Sequence, residues 1–306
     1  MRSVKVAVCS VTYISVEHWQ IQGSAYKTLL ALLRGPQFAN FFPFQFLCTK
    51  RVSIAVLKRR LRVVKAGERT NPGGKPIANR ILLMIPEHEF RRLRPALEML
   101  DLPQRLSLYE PNRKIKYVYF PNGGLISLVI ETADGKTVEV GVLGREGLAG
   151  IPAIFGLNRS PIREIVQIAC ETGGFRMLVE EFRNALTKSP ILRATVGRYS
   201  AVLGMQVAQT AACNRLHDVE KRFARWLLIA QDRVDGGTIS ITHDFLATML
   251  GTDRPSVSLA AAGLQRQGII DYARGAVKVL NRKALEASAC ECYQVIQQFN
   301  GEIDLR

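Results

Sequence analysis

The sequence predicts an α+β fold class: an N-terminal antiparallel β-roll, a long helix, and a C-terminal helix-turn-helix with a β-hairpin behind it. Three observations predict it. Between Leu106 and Cys170, short segments rich in Val, Ile, Tyr and Phe are separated by Gly- and Pro-containing turns, as in an antiparallel barrel or roll. Pro190 to Asn214 carries an apolar stripe whose steps alternate between four and three. From Ile239 the chain reads short strand, short helix, Gly turn, second helix and hairpin.

At 306 residues the chain has room for about two domains and a linker or tail. With 47% hydrophobic and 22% charged residues, it fits neither the disordered nor the fibrous class. No apolar run reaches the ~18 residues that span a bilayer; Phe38 to Cys48 falls short and is interrupted by Pro43. The net charge of +16 points to a polyanionic partner, but its distribution is uneven. Residues 1–78 hold 13 Lys/Arg against two acids, which leaves +5 for the rest. This stretch lacks sustained periodicity and ends at Asn71-Pro72-Gly73-Gly74, a linker signal. It reads as a basic, disordered extension, with a transit peptide or a nucleic-acid-binding arm as alternatives.

From Asn79 to Leu100 the apolar residues recur at three- to four-residue steps, as in short helices on a core. Strands are then expected near Leu106–Leu108, Tyr117–Phe120, Leu125–Ile130, Thr137–Val142 and Ile165–Cys170, with Gly173-Gly174 as a separator. In the long helix, Leu192, Val196, Tyr199, Leu203, Val207 and Thr210 form a coiled-coil seam, so a homodimer is expected. Leu216 to Val234 continues as a helix with Val219, Phe223, Trp226, Leu227 and Ala230 on its apolar face.

The helix-turn-helix has an internal logic. Gly251 tolerates the positive φ of a sharp turn, Asp253 can cap the second helix, and Pro255 falls in the first turn, where a missing N–H costs nothing. Leu246, Leu250, Val257, Ala261 and Leu264 form the buried seam, which leaves Arg254, Ser256 and Ser258 near an exposed N-terminal end. Such a helix fits the major groove, where Arg can bond guanine and Ser a base or phosphate. Gly268 to Leu280 reads as the hairpin wing. Residues 220–306 carry 11 Lys/Arg against 10 acids, so any DNA contact rests on local placement.

These segments resemble the Crp/Fnr family of bacterial transcription regulators over about Asn79 to Glu286. The resemblance rests on Tyr119-Phe120-Pro121-Asn122-Gly123-Gly124, on Val138 to Gly147, on Leu216 to Leu227 and on the helix-turn-helix. It implies a cyclic-nucleotide-binding-like sensory roll over 79–188, a dimerisation helix over 189–215, a winged helix-turn-helix over 216–290 and a tail over 291–306. It also implies a cytoplasmic homodimer that binds a pseudo-palindromic operator in double-stranded DNA, with RNA polymerase as a further candidate partner. Thr252, Asp253, Arg254, Ser256, Ser258, Arg266, Arg274 and Lys278 are the expected DNA contacts. For the unidentified effector, Gly144, Arg145, Glu146, Gly147 and Arg163 are the expected contacts.

The departures from the family matter. Members that bind cyclic AMP hold its phosphate with an Arg-Ser pair, whereas the best match here is Arg163-Glu164, and a carboxylate repels a phosphate. The effector is therefore expected not to be cyclic AMP. The family's Arg-Glu-Thr-Val with a later Arg becomes Arg254-Pro255-Ser256-Val257 with Leu259, so the operator should differ.

Six scattered cysteines read as reduced cytosolic thiols, and Cys290-Glu-Cys292 has no second pair nearby in sequence to complete a zinc site. No cofactor, metal or catalytic residue is expected. A cupin-like enzyme would need His ligands in the strands, yet His18, His88, His217 and His243 all lie outside them. A roll that signals through protein contacts alone is the other alternative.

Overall fold

The computed structural model describes residues 64–234 and 237–303, so the extension expected over residues 1–78 lies outside the described residues up to residue 63. Its remainder is packed. Thr70 and Pro76 pair across the Asn71 to Gly74 turn, with Gly74 at φ +74°, so the expected linker is a hairpin turn. The buried guanidinium of Arg69 fixes this hairpin, donating to the carbonyls of Leu82 and Ile85 and lying 4.6 Å from the centre of the Phe90 ring.

Helices α1 (Arg80–Met84) and α2 (Glu87–Leu93) follow, and a 3₁₀ turn at Arg94–Ala96 ends the helical stretch at Pro95. The last residues of the expected helical run are instead strand β1 (Glu98–Leu102). The roll continues with β2 (Ser107–Tyr109), β3 (Tyr117–Pro121), β4 (Leu125–Glu131), β5 (Thr137–Leu143), the short α3 (Ile151–Ile154), β6 (Arg163–Ile168) and β7 (Cys170–Leu178). Two antiparallel sheets result, in the orders β1-β7-β3 and β2-β6-β4-β5. Gly173-Gly174, expected as a separator, lies inside β7. A Cβ on Gly173 (φ +61°) would come within 2.4 Å of the Leu100 carbonyl oxygen, so glycine here serves close strand approach.

Helix α4 (Val179–Thr187) leads to the long α5 (Pro190–Leu216). Pro190 has no N–H to satisfy. The free N–H groups of Ile191 and Leu192 go to the buried Glu89 carboxylate, at 3.1 and 2.7 Å, where the helix dipole also favours an anion. The expected coiled-coil seam is corrected here: Leu192, Val196, Tyr199 and Leu203 are buried in the roll's own core. The outer face of α5 carries a second stripe with the same period, namely Ala194, Arg198, Ala201, Met205, Ala208, Ala212 and Arg215, most of them exposed.

The C-terminal part comprises α6 (Val219–Gln231), β8 (Thr238–Ser240), α7 (His243–Leu250), α8 (Arg254–Arg266), β9 (Ile270–Ala273), β10 (Ala276–Val279), α9 (Arg282–Ser288) and α10 (Cys292–Glu302). The strands pair in the order β8-β10-β9. Phe223, Leu227, Leu246, Val257, Leu264 and Val277 form its core, joined by Leu125, Val142 and Ile168 from the roll. Residues 291–303, expected as a tail, are mostly helix, with Cys292, Tyr293 and Ile296 buried. Among the described residues no helix is long and apolar enough to cross a membrane.

Candidate functional site

Local chemistry builds the helix-turn-helix as its residues dictate. Thr242 caps α7 by accepting from the Phe245 N–H, and Gly251 ends it at φ +58°. Asp253 caps α8, accepting from the Ser256 N–H at 2.8 Å, and this bond holds its carboxyl below the usual range. Asp253, expected as a DNA contact, therefore already serves the helix N-terminus. Arg222 of α6 donates to the Leu250 carbonyl at 2.6 Å and ties the first helix of the motif down.

Arg254 projects into solvent with 64% of its side chain exposed, its Nε 3.5 Å from the equally open Asp244 carboxylate. Exposed pairs of this kind contribute about 0–1 kcal/mol, so the guanidinium is easily transferred to a stronger acceptor. Ser258 is held inward, its Oγ 3.0 Å from His243 Nδ1. The His243 ring packs edge-on against Tyr272 at 4.3 Å, and burial together with the Arg254 charge lowers its pKa. His243, the first residue of α7, thus brackets Ser258.

Arg274 sits at φ +53° beside Gly275 at φ +77°, the two left-handed residues of a tight hairpin turn at the wing tip. Arg254, Ser258, Gln265, Arg274 and Gly275 line one open groove of about 390 Å³ with Thr242 and Tyr272. Arg266 and Lys278 are exposed outside that groove, and Thr252 and Ser256 are half-buried. Gln265 was missed by the sequence reading. It lies about three helical turns beyond Arg254, on the same face, and a glutamine amide can bond adenine in two places.

The expected effector residues separate. Glu146 is buried and accepts from Arg233 Nη2 at 2.7 Å, from Arg233 Nε at 2.9 Å and from the Gly144 N–H at 3.1 Å. Arg145 lines a small cleft with Arg80, Glu146, Asp232, Arg233, Gln297 and Asn300. Arg163 lies on the roll surface, paired with Glu110 at 2.9 Å and Glu131 at 3.2 Å. Gly147 is covered by Tyr199, whose Oη would be 2.1 Å from a Cβ there. Glu164 points into the roll, where burial raises its pKa to about 8 while the Gly150 N–H pulls it down.

Alongside the apolar contacts of Leu125, Val142 and Ile168, polar contacts from β5 and the loop after it bind the roll to α5 and to the C-terminal part. Besides the Glu146–Arg233 pair, Glu139 accepts from Trp226 Nε1 at 3.0 Å, and Gln206 of α5 donates to the Val142 carbonyl at 3.0 Å. Burial pushes Glu139 up to about 7, against its bonds from Ser127 and Trp226. Gly251 itself faces Val138, whose Cγ2 would be 3.3 Å from a Cβ at that turn.

Residues 221–288 match the family model of the Crp-like helix-turn-helix domain. The fold is similar to that of solved Crp-type regulators. TTHB099, a CRP-family transcriptional regulator from Thermus thermophilus, is 23% identical, with 62% of this chain and 96% of that one covered and a TM-score of 0.50. CLP of Xanthomonas campestris, described as a c-di-GMP responsive global regulator, is 15% identical with coverage of 63% and 98% and a TM-score of 0.52. FixK2 of Bradyrhizobium japonicum is 14% identical, again with 63% and 98% covered and a TM-score of 0.52. No curated protein sequence matches the chain. The chain thus combines a β-roll with a Crp-like helix-turn-helix.

Proposed function

We propose that the protein is a dimeric, sequence-specific transcription regulator of the Crp/Fnr type, with no catalytic activity of its own. The observation that carries this proposal is the groove that runs along α8, lined by Arg254 at its start, Gln265 near its end and the wing arginine Arg274. Arg254 and Gln265 read base edges in the major groove, Arg274 and Lys278 hold phosphates, and Arg266, Ser256 and Thr252 stand at the margin of the contact. The near-neutral balance of residues 220–306 makes these few placed cations decisive.

Ala194, Ala201 and Ala208, seven residues apart on the exposed face of α5, support the dimer, since small side chains at heptad spacing let two such helices approach closely. A twofold axis along α5 gives two recognition helices and a pseudo-palindromic operator. The effector is an anion other than cyclic AMP, received by Arg145 in the cleft it shares with Arg80 and Arg233, while Tyr199 closes Gly147 and Arg163 keeps its surface partners. Tyr199 over Gly147 and the inward carboxyl of Glu164 support this exclusion of a cyclic nucleotide phosphate. An anion bound beside Arg145 would compete with Glu146 for the Arg233 guanidinium and so reach the recognition unit.

Replacement of Arg254 tests the proposal. Arg254→Ala should weaken operator binding by ~1–3 kcal/mol and relax specificity at one base pair of each half-site. A variant that binds the operator as the parent does would remove the recognition role from α8.

A further inference from the structure

Four side chains far apart in sequence meet at the C-terminal end of α5. Cys213 and His217 stand one turn apart on that helix and its cap, and Cys290 and Cys292 flank Glu291 at the start of α10. The three sulfurs and a His217 ring nitrogen all lie within 4.8 Å of one another. Cys213 Sγ is 3.5 Å from Cys290 Sγ, and Cys292 Sγ is 3.6 Å from His217 Nδ1. A zinc ion bonded to sulfur at ~2.3 Å and to imidazole nitrogen at ~2.0–2.1 Å needs tetrahedral ligand separations of about 3.5–3.8 Å. The Cys213–Cys290 and Cys292–His217 spacings already fall at that edge length, and the remaining pairs lie within 4.8 Å.

The surroundings are also those of a metal centre. His217 presents Nδ1 to the sulfurs and turns Nε2 to the Glu291 carboxylate at 3.2 Å, the outer partner that fixes the ring of a zinc-bound histidine. The Gln209 amide donates to Cys292 Sγ at 3.1 Å, a bond suited to a thiolate. The cysteines are buried, yet they form a small cluster separate from both apolar cores, which does not suit cysteines acting as ordinary hydrophobes.

Charge points the same way. Arg225 is 6% exposed, and its Nε and Nη1 find no hydrogen-bond partner among the described residues. Its Nη2 donates to Thr210 Oγ1 at 3.3 Å, about one helical turn before Cys213 on α5. Three thiolates, a neutral imidazole and a divalent cation sum to one negative charge, which offsets a buried guanidinium.

We propose that Cys213, His217, Cys290 and Cys292 form a structural binding site for a thiophilic divalent metal, zinc(II) in the first place, that staples α10 to the end of α5. Four protein ligands close the coordination sphere, so the site holds the fold and leaves no position for a substrate. The inference is independent of the DNA-binding proposal.

The test is metal analysis of the full chain purified under reducing conditions, followed by cobalt(II) titration of the stripped protein. The expected result is one zinc per chain, and on titration one equivalent of cobalt(II) with the intense visible bands of tetrahedral thiolate coordination. Cys290→Ser combined with Cys292→Ser should abolish those bands, and His217→Ala should weaken cobalt(II) affinity at least tenfold. Cys170→Ser, in β7, should leave them intact. The site is refuted by a wild-type protein that carries no zinc and gives no tetrahedral cobalt spectrum, by a spectrum that survives loss of Cys290 and Cys292, or by a Cys213–Cys290 disulfide in the reduced, metal-supplemented protein. The wild-type titration decides the matter even if a variant fails to fold.

Discussion

Replacing Glu164 by Gln should change how stability depends on pH. The carboxyl is buried in the roll on a residue that pairs with Leu128 and Tyr109, with Oε2 unpartnered among the described residues, and its pKa rises from 4.5 to about 8. A group that binds its proton more tightly when folded stabilises the fold below its unfolded pKa and loses that contribution as pH rises through the folded value. At about 1.36 kcal/mol per pH unit, the interval from 4.5 to about 8 amounts to roughly 5 kcal/mol of stability lost, with water entry reducing the figure. Gln keeps the acceptor for the Gly150 N–H and has no charge to bury, so this loss disappears. Urea unfolding followed by far-UV circular dichroism across that pH range measures it. The Glu164→Gln variant should gain on the wild type steadily as pH rises, whereas Glu139, common to both, cancels. Parallel stability curves would refute the account of this carboxyl.

Three further outcomes are expected. Arg233→Ala strands the buried Glu146 carboxylate and should cost about 3–5 kcal/mol in urea unfolding, and replacing both partners by Met should recover most of it; a cost below about 1 kcal/mol would mean the pair is not buried. Gly147→Ala drives a methyl into Tyr199 and should cost about 1–3 kcal/mol, partly restored by Tyr199→Leu; additive costs in the double variant would contradict the contact. Ala208→Glu on the outer stripe of α5 should convert dimer to monomer in sedimentation without loss of helicity, and an unchanged dimer would move the interface elsewhere.

What was legible in the sequence depended on how local the determinants are. Gly251, Asp253 and Pro255 act within one turn of themselves, so the helix-turn-helix could be read directly. The strands were visible through their β-branched runs, but Gly173-Gly174 looked like a turn because its role depends on Leu100, a residue distant in sequence. The long helix misled for a different reason. It carries two stripes of one period, and the apolar one drew the dimer assignment although burial in the roll claims it. Small residues on the other face give a weaker signal. Nothing near Glu146 announced Arg233, and nothing near Cys290 announced Cys213 and His217, because the folded chain makes both encounters.

The measurement that tests the central claim most directly is footprinting of the full-length protein on DNA captured from a random pool. Two related half-sites about one helical turn apart, both lost in Arg254→Ala, are the predicted result. A single asymmetric footprint, or capture that ignores Arg254, would contradict a dimeric regulator reading DNA through α8.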